Sequence, residues 1–328
     1  MHFSTPVDTD SEGFRLELDQ HIMMMGSCFT ESIGSRLKEN QWSACINPFG
    51  VLYNPMSIFH ALELLLQSVS KSYHIVADDL FSDNDIYYHW AFSSDYAAVS
   101  SDEALVKMNR SIDAAVKQLK RLDVLFLTFG TNRYYRLKSS GEIVANCHKQ
   151  PHHIFTEERA GVDEIVEAWM PTAMRLFDLR PSLKVILTVS PYRYVKYGLH
   201  GNSLGKAVLL LSVDKIITMK TSHKDHYRYF PAYEILNDEL RDYRFYSSDM
   251  LHPSTQAIDF IWYKLRRDWM TEEANCFITE WQPLLQGFHH LPMFPESETY
   301  NDFIKQLNVR KNKLCEKYNV KFNSDFYK

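Results

Sequence analysis

The sequence predicts an α/β protein built as a three-layer, doubly wound and mainly parallel sheet. Short apolar segments rich in β-formers alternate with longer segments of helical period along most of the chain. The apolar segments are continuous rather than alternating, which is typical of parallel strands covered on both faces. Helices packed on both faces of such a sheet give three layers.

Five strands follow from this pattern. The first two, at residues 21–25 (HIMMM) and 43–49, each precede a segment of helical period. Amphipathic stretches at residues 102–121 and 156–179 precede the third and fourth strands, and the second stretch opens with TEE, a threonine cap followed by carboxylates. The last three strands are predicted at residues 123–129, 183–189 and 227–236.

Two regions interrupt the alternation, and the end of the chain changes character. Residues 78–93 and 137–155 resemble hairpins or long loops lying over the sheet. After Pro253 the chain is mostly of helical type to Tyr318, with residues 281–297 as a proline-broken connection. We therefore expect an α/β domain over residues 1–270 and a helical extension over residues 271–328, packed on that domain.

Composition excludes several classes of function. The chain has 328 residues, is 45% hydrophobic and carries a net charge of −5, so it has no basic field for nucleic acid or for a membrane surface. Its apolar runs are far shorter than the ~20 residues that span a bilayer. The first residues are polar and acidic, and five scattered cysteines form neither a disulfide framework nor a paired metal motif. A reduced, cytoplasmic protein is expected, and its oligomeric state is left open.

Three glycines stand at the ends of predicted strands. Gly26 closes the first strand, Gly50 follows the second and Gly130 closes the third. Sites in doubly wound sheets form at the carboxyl ends of the strands. The amides of Ser27 and Gly50 and the side chain of Asn132 are therefore candidate oxyanion donors. The alternative is that each glycine serves an ordinary strand-to-helix turn.

A second candidate element is the D-x-x-H segment before the predicted last helix of the sheet domain. Pro253 suits the first helical position and holds His252 extended. The positive end of the helix favours neutral imidazole, which can accept a proton, and Asp249 can fix its tautomer. The alternative is a capping aspartate beside a surface histidine.

Together these segments resemble the GSCFA family, a branch of the SGNH (GDSL-like) hydrolases. The resemblance covers residues 26–260 and is carried by GSCFTESIGSRL, NPFGVLYNPMSI, VANCHK, TVSPYR and YFPAYEILNDELRDYRFYSSDMLHPS. It implies a flavodoxin-like sheet and serine-dependent ester hydrolysis. In that scheme Ser27 is the nucleophile, His252 the base and Asp249 its orienting partner, and Ser27, Gly50 and Asn132 donate to the oxyanion.

Two residues depart from the family pattern, and two nucleophiles compete. Thr30 replaces the alanine of the name motif, and Arg133 stands where the wider superfamily usually has aspartate. Cys28 at a helix start is a possible reactive thiol, although buried cysteine is commonly a small hydrophobe. The position directly after the glycine favours Ser27 over Cys28, while a site using neither stays open.

Further polar residues are candidates for substrate or metal. Loop residues Cys147, His148, His152 and His153 suggest a divalent metal, but zinc ligands usually come as two pairs and a second pair is not evident. His148 is a candidate substrate contact. Arg193 ends the fourth strand, where it would hold a carboxylate or phosphate or else form a salt bridge. The aromatic segment 86–92 is either a sugar-stacking platform or hairpin packing.

The resulting hypothesis is a serine esterase or deacylase that needs no metal or organic cofactor. Its expected substrate is an ester of a small acyl group, for which acetyl is the leading candidate. An acylated carbohydrate is one candidate substrate. The first alternative is a non-catalytic binding protein that keeps the sheet. The second is a metal-dependent hydrolase that uses the loop from Cys147 to His153.

Overall fold

A computed structural model describes residues 4–220 and 223–322 of the chain. The strands are β1 (His21–Gly26), β2 (Ser43–Ile46), β3 (Phe81–Asp83), β4 (Ile86–Tyr88), β5 (Val124–Phe129), β6 (Arg133–Leu137), β7 (Ile143–Val144), β8 (Phe155–Arg159), β9 (Lys184–Val189) and β10 (Tyr227–Tyr229). The helices are α1 (Cys28–Glu39), α2 (Pro55–Lys71), α3 (Ser101–Leu119), α4 (Val162–Leu179), α5 (Gly198–Thr218), α6 (Ala232–Glu234), α7 (Thr255–Trp269), α8 (Glu272–Phe288) and α9 (Glu298–Lys317). Within these described ranges, none of the helices has the length and apolar character needed to cross a membrane.

The central sheet has five parallel strands in the order β10-β9-β5-β1-β2. Numbered along the chain, this is the order 2-1-3-4-5 of flavodoxin-like doubly wound sheets. The chain leaves β1 towards β2 on one side and returns to β5 on the other. The switch point, and with it the expected crevice, therefore lies at the carboxyl ends of β1 and β5.

Alternate side chains of β1 enter two different cores. Met23 and Met25 pack with residues of α2, α3, α4 and α5, whereas Ile22 and Met24 pack with residues of α1, α7 and α8. All four side chains are at most 2% exposed. Burial of a side chain of this size stabilises the fold by about 1.5–3 kcal/mol. Helices thus cover both faces of the sheet, and the predicted α/β class with a parallel sheet is confirmed.

Both predicted interruptions contain antiparallel strands. β3 and β4 form a hairpin, and β6 pairs with β7 on one side and β8 on the other. This small sheet lies directly after the end of β5, because β6 begins at Arg133. It therefore flanks the switch point.

The C-terminal helices pack on the face of the sheet that carries α1. Trp281, Leu284 and Leu285 of α8 are buried in the same core as α1, and the Trp281 indole donates to the carbonyl of Glu39 at 2.7 Å. Helix α8 continues through Pro283 to Phe288, so the connection predicted over residues 281–297 begins only at residue 289 and runs to residue 297. Burial of these side chains outweighs the hydrogen bond that proline removes. The domain division at residue 270 stays a prediction, and residues 1–3 and 323–328 at its outer ends lie outside the described ranges.

Candidate active site

The junction between β1 and α1 is fixed by a glycine that no other residue can replace without movement. Gly26 has φ +154°, and a Cβ on it would lie 2.4 Å from the carbonyl oxygen of Thr128. The Gly26 amide donates to the side-chain oxygen of Asn47 at 2.9 Å. Ser27 therefore leaves the sheet in a defined direction at the carboxyl end of β1.

Ser27 occupies the N-cap position of α1, yet its hydroxyl does not cap the helix. Serine at this position ordinarily accepts from a first-turn amide. Here the Ser27 hydroxyl donates instead to the hydroxyl of Ser190, at 2.9 Å, and both residues are 0% exposed. Ser190 follows the end of β9, and its amide donates to the carbonyl of Phe129 at 2.8 Å. The Ser27 hydroxyl is thus turned away from its own helix and towards the sheet ends.

Asp249 and His252 form the second half of the site. Asp249 Oδ2 lies 2.5 Å from His252 Nδ1, and Asp249 Oδ1 accepts from the backbone amides of Leu251 and His252 at 2.9 and 3.0 Å. The hydrogen bond from His252 lowers the pKa of Asp249 to about 2. A carboxylate on Nδ1 leaves Nε2 as the ring nitrogen available to accept a proton. This pair has the geometry of an oriented general base, and both side chains are partly exposed.

Tyr192 connects the two halves. Its ring packs on the His252 imidazole with the centroids 4.4 Å apart, and its amide donates to the Ser190 hydroxyl at 3.3 Å. Burial raises the pKa of Tyr192, and the neighbouring Cys28 and Asp249 raise it further. Tyr192 therefore lies between the α1 end and the D-x-x-H loop. The structure places all three predicted catalytic residues at this end of the sheet.

Contact between the predicted nucleophile and base is not formed in this state. Among the described side chains, the hydroxyl of Ser27 has Ser190 as its hydrogen-bond partner and not His252. Apo catalytic contacts are often long and shorten when substrate binds. A Ser27–His252 hydrogen bond requires movement of at least one of the two side chains, and the predicted triad stays a prediction.

Cys28 has the environment of an inert thiol. Burial raises its pKa, although it is the first residue of α1. A raised pKa lowers the fraction of thiolate, which is the nucleophilic form of cysteine. This favours Ser27 over Cys28 as the attacking group.

Two of the predicted oxyanion donors are engaged elsewhere. The Gly50 amide donates to the carbonyl of Asn47 at 2.7 Å, and the Asn132 side-chain amide donates to the carbonyl of Ala160 at 2.9 Å. The Gly50 amide would have to leave the Asn47 carbonyl before it could donate to an oxyanion. The Asn132 side chain has a second N–H, so it could donate without losing its bond to Ala160. Ser27 itself stands at the N-terminus of α1, where first-turn amides lack partners within the helix. Their role as donors stays a prediction.

His148 is placed in hairpin packing rather than in an open crevice. It is 4% exposed, its Nδ1 pairs with the Ser94 hydroxyl at 2.9 Å and its Nε2 with the His89 carbonyl at 3.2 Å. Burial lowers its pKa to about 4. Its ring lies among Phe81, Tyr88 and Trp90. With both nitrogens engaged and the ring covered, the predicted substrate contact of His148 finds no support, and the aromatic segment takes its packing alternative.

Arg193 lies on the side of the crevice that carries His252. Its amide donates to the carbonyl of Leu251 at 3.1 Å, and its guanidinium lies 5.5 Å above the Tyr246 ring. Within residues 4–220 and 223–322, no carboxylate forms a salt bridge with it. The salt-bridge alternative is therefore not seen, and anion binding by Arg193 stays a prediction.

The loop from Cys147 to His153 does not assemble metal ligands. In the described part of the chain, no three His, Cys, Asp or Glu side chains are grouped to hold a metal ion. His148 points into the hairpin, whereas His152 and His153 are exposed on a turn. The metal-dependent alternative has no supporting geometry here.

Two site residues escaped the sequence analysis. Ser190 stands in the quoted segment TVSPYR, but a serine after a strand carries no distinguishing signal. Lys206 on α5 is 2% exposed and donates to the carbonyls of Gly130 and Ser190, each at 2.7 Å. Its signal in the sequence is a lone lysine at the start of a long apolar run, GKAVLLL.

Comparison with known proteins agrees with this arrangement of segments. The chain matches the model of the GSCFA family over residues 21–265. That range begins at β1 and ends within α7, so it contains Ser27, Ser190 and the D-x-x-H loop. No curated protein matches the chain.

Proposed function

The chain belongs to the GSCFA family, and we propose that it is a serine esterase or deacylase acting on small acyl esters. The observation that carries the proposal is the convergence of two separate segments at one end of the sheet. A buried serine at a strand end bonds to Ser190, which accepts from the Tyr192 amide, and the Tyr192 ring packs on an aspartate-oriented histidine. Nucleophile, base and orienting carboxylate are the parts that acyl transfer needs.

In the proposed reaction the hydroxyl oxygen of Ser27 attacks the ester carbonyl carbon. His252 Nε2 takes the serine proton, and the carbonyl π electrons move to the oxygen. The proton then passes to the departing alcohol, leaving an acyl-enzyme that water hydrolyses by the same steps. Asp249 holds the imidazole orientation and stabilises the imidazolium that forms. None of these steps requires a metal or an organic cofactor.

The tetrahedral oxyanion would form beside the N-terminus of α1. First-turn amides and the positive helix end favour negative charge at that point. We assign donors to the Ser27 amide, Gly50 and Asn132, the last two after exchanging or sharing their present partners, Asn47 and Ala160. Removal of one donor from an oxyanion hole costs about 10²–10³-fold in kcat.

The finer fold proposal is an SGNH-type hydrolase domain over residues 1–270. Its support is the 2-1-3-4-5 strand order together with the three strand-end glycines and the D-x-x-H loop. The acidic net charge of −5 supports a small-molecule or carbohydrate ester over nucleic acid or an anionic membrane as partner. Arg193 is the candidate residue for an anionic group on such a substrate, and a cytoplasmic location stays a prediction.

One observation favours the non-catalytic binding alternative. The Ser27 hydroxyl is 0% exposed and bonded to Ser190, which is the arrangement of a structural serine. A binding protein that keeps the sheet would show this same state with and without ligand. An esterase must release Ser27 towards His252 during turnover.

Hydrolysis of an ester panel separates these alternatives. The wild-type chain and Ser27→Ala are compared on p-nitrophenyl acetate and on acetylated sugars, with Cys28→Ala as the matched neighbour. The esterase proposal expects turnover by wild type and Cys28→Ala, and loss of at least about 10³-fold in Ser27→Ala with the fold retained. Equal turnover by wild type and Ser27→Ala would rule the mechanism out.

A further inference from the structure

Lys206 is a buried ammonium without a counter-ion. The side chain is 2% exposed, and among residues 4–220 and 223–322 no carboxylate forms a salt bridge with it. Burying a charge without a paired charge is costly. Such a group on a stable helix indicates a role other than stability.

The two acceptors of Lys206 are both at the predicted active site. Its Nζ donates to the carbonyl of Gly130, after β5, and to the carbonyl of Ser190, after β9. A Cβ on Gly130 would lie 3.7 Å from the Cβ of Ser27. The ammonium thus ties together the two strand ends that adjoin the nucleophile.

Ser190 is the point where these contacts meet. Its hydroxyl accepts from Ser27 at 2.9 Å and from the Tyr192 amide at 3.3 Å, while its carbonyl accepts from Lys206 at 2.7 Å. Tyr192 in turn packs on His252. One residue therefore contacts the nucleophile directly and the base through a single neighbour.

We propose that Ser190 is a further catalytic residue and that Lys206 is the positioning residue that holds it against Ser27. This inference rests on the proposed serine esterase function and deepens it. At rest, the Ser190 oxygen accepts a hydrogen bond from the Ser27 hydroxyl. When His252 takes that proton and the Ser27 oxygen bonds to the carbonyl carbon, the Ser190 hydroxyl rotates and donates to the Ser27 oxygen. Ser190 neither gains nor loses a proton over the step.

The electrostatics of the site are consistent with this role. Burial lowers the pKa of Lys206 to about 7, and the neighbouring Cys28 opposes that shift. The aromatic ring of Tyr233 also faces the ammonium, with Nζ 5.9 Å from its centroid. The two carbonyls accept hydrogen bonds from Nζ, and both the ammonium and the neutral amine can donate them.

Single and double variants test the proposal by their effect on kcat. Ser190→Ala removes one oxygen atom, and Lys206→Met removes the ammonium while keeping the length of the side chain. Ser203→Ala and Lys215→Met, on the helix α5 that carries Lys206, are matched controls, since the Ser203 hydroxyl donates to the Leu199 carbonyl of that helix and Lys215 pairs with Asp163 at the surface. Each full-length variant is assayed on p-nitrophenyl acetate and for the rate of phosphonylation by a fluorophosphonate, with circular dichroism to confirm folding.

We expect the variants to slow the chemical step and to leave substrate binding nearly unchanged. In Ser190→Ala, kcat falls about 10–100-fold while KM changes less than about 2-fold, and phosphonylation slows by a similar factor. Lys206→Met likewise lowers kcat and the rate of phosphonylation while KM stays nearly unchanged. The kcat of the double variant stays within about 3-fold of the kcat of the slower single variant, because Lys206 acts through Ser190. Both controls stay near wild type.

Two results overturn it. Wild-type kcat in folded Ser190→Ala refutes the role of Ser190, and with it that of Lys206, whatever the lysine variants do. Fully multiplicative losses in the double variant refute the coupling; where Lys206→Met does not fold, Lys206→Gln takes its place. A wild-type chain that neither hydrolyses esters nor reacts with the probe would instead show that the proposed function itself has failed.

Discussion

The ring of Tyr192 packs on the imidazole of His252 with 4.4 Å between the centroids. The two residues belong to different segments, one following β9 and the other preceding α7. The Arg193 amide, one residue on, donates to the carbonyl of Leu251, one residue before His252. These two adjacent contacts hold the partly exposed D-x-x-H loop against the end of the sheet.

Removing the Tyr192 ring should therefore impair catalysis without removing any group that reacts. We expect Tyr192→Ala to lower kcat/KM for p-nitrophenyl acetate by about 10-fold or more, because a misplaced base loses much of its effect. Tyr192→Phe keeps the stacked ring and should stay within about 3-fold of wild type. Equal losses in the two variants would show that the hydroxyl, not the ring, matters.

Asp249 should be needed for rate but not for folding. Its carboxylate fixes the His252 tautomer, and the loss of that role costs about 10⁴-fold in kcat in such triads. We expect Asp249→Asn to lose activity by that order while its melting temperature stays near wild type. The control is Asp242→Asn. Asp242 lies near the same loop, and its carboxylate accepts a hydrogen bond from the Arg244 amide. A nearly active Asp249→Asn would remove Asp249 from the mechanism.

Gly26→Ala should destabilise the protein strongly. The added methyl would lie 2.4 Å from the Thr128 carbonyl oxygen, and φ at this position is +154°. Strain and overpacking together suggest a loss of about 2–4 kcal/mol in the free energy of unfolding. Gly161→Ala, whose methyl would meet nothing within 4 Å, should cost less than about 1 kcal/mol. Urea titration measures both, and similar midpoints would contradict the tight packing described for Gly26.

Lys206 should make stability depend on pH above neutrality. Its pKa is about 7 in the folded protein against an ordinary value of 10.5, so between these values the unfolded chain binds more protons. The free energy of unfolding of wild type should therefore rise with pH relative to Lys206→Met, by about 1.4 kcal/mol per pH unit at most. Below pH 7 the difference should be flat. A difference that falls as pH rises from 7 to 10 would contradict a lowered pKa.

The sheet was predictable because its strands carry a strong and local signal. β1, β5 and β9 are continuous apolar runs because each is buried on both faces. Gly26 in β1 and Gly130 after β5 mark where the chain turns. The D-x-x-H pair was predictable for the same reason, because its hydrogen bond spans only three residues.

Contacts between distant segments were not predictable. The bond of Asn132 to Ala160, 28 residues further along the chain, depends on how the loops pack after the strands are assembled. Ser27 and Ser190 are 163 residues apart, and nothing local marks either as the partner of the other. Pro283 predicts a helix break, yet burial of its neighbours Trp281 and Leu284 keeps α8 intact. In each case tertiary packing overrides the local pattern.

The central claim is that Ser27 is a nucleophile, and covalent labelling tests it most directly. Wild-type protein is treated with a fluorophosphonate, digested and analysed by mass spectrometry, with Ser27→Ala and Ser190→Ala treated in parallel. We expect one adduct on Ser27 in wild type, none in Ser27→Ala, and slower formation of the Ser27 adduct in Ser190→Ala. A folded wild-type chain that carries no adduct, or an adduct that persists in Ser27→Ala, would contradict it.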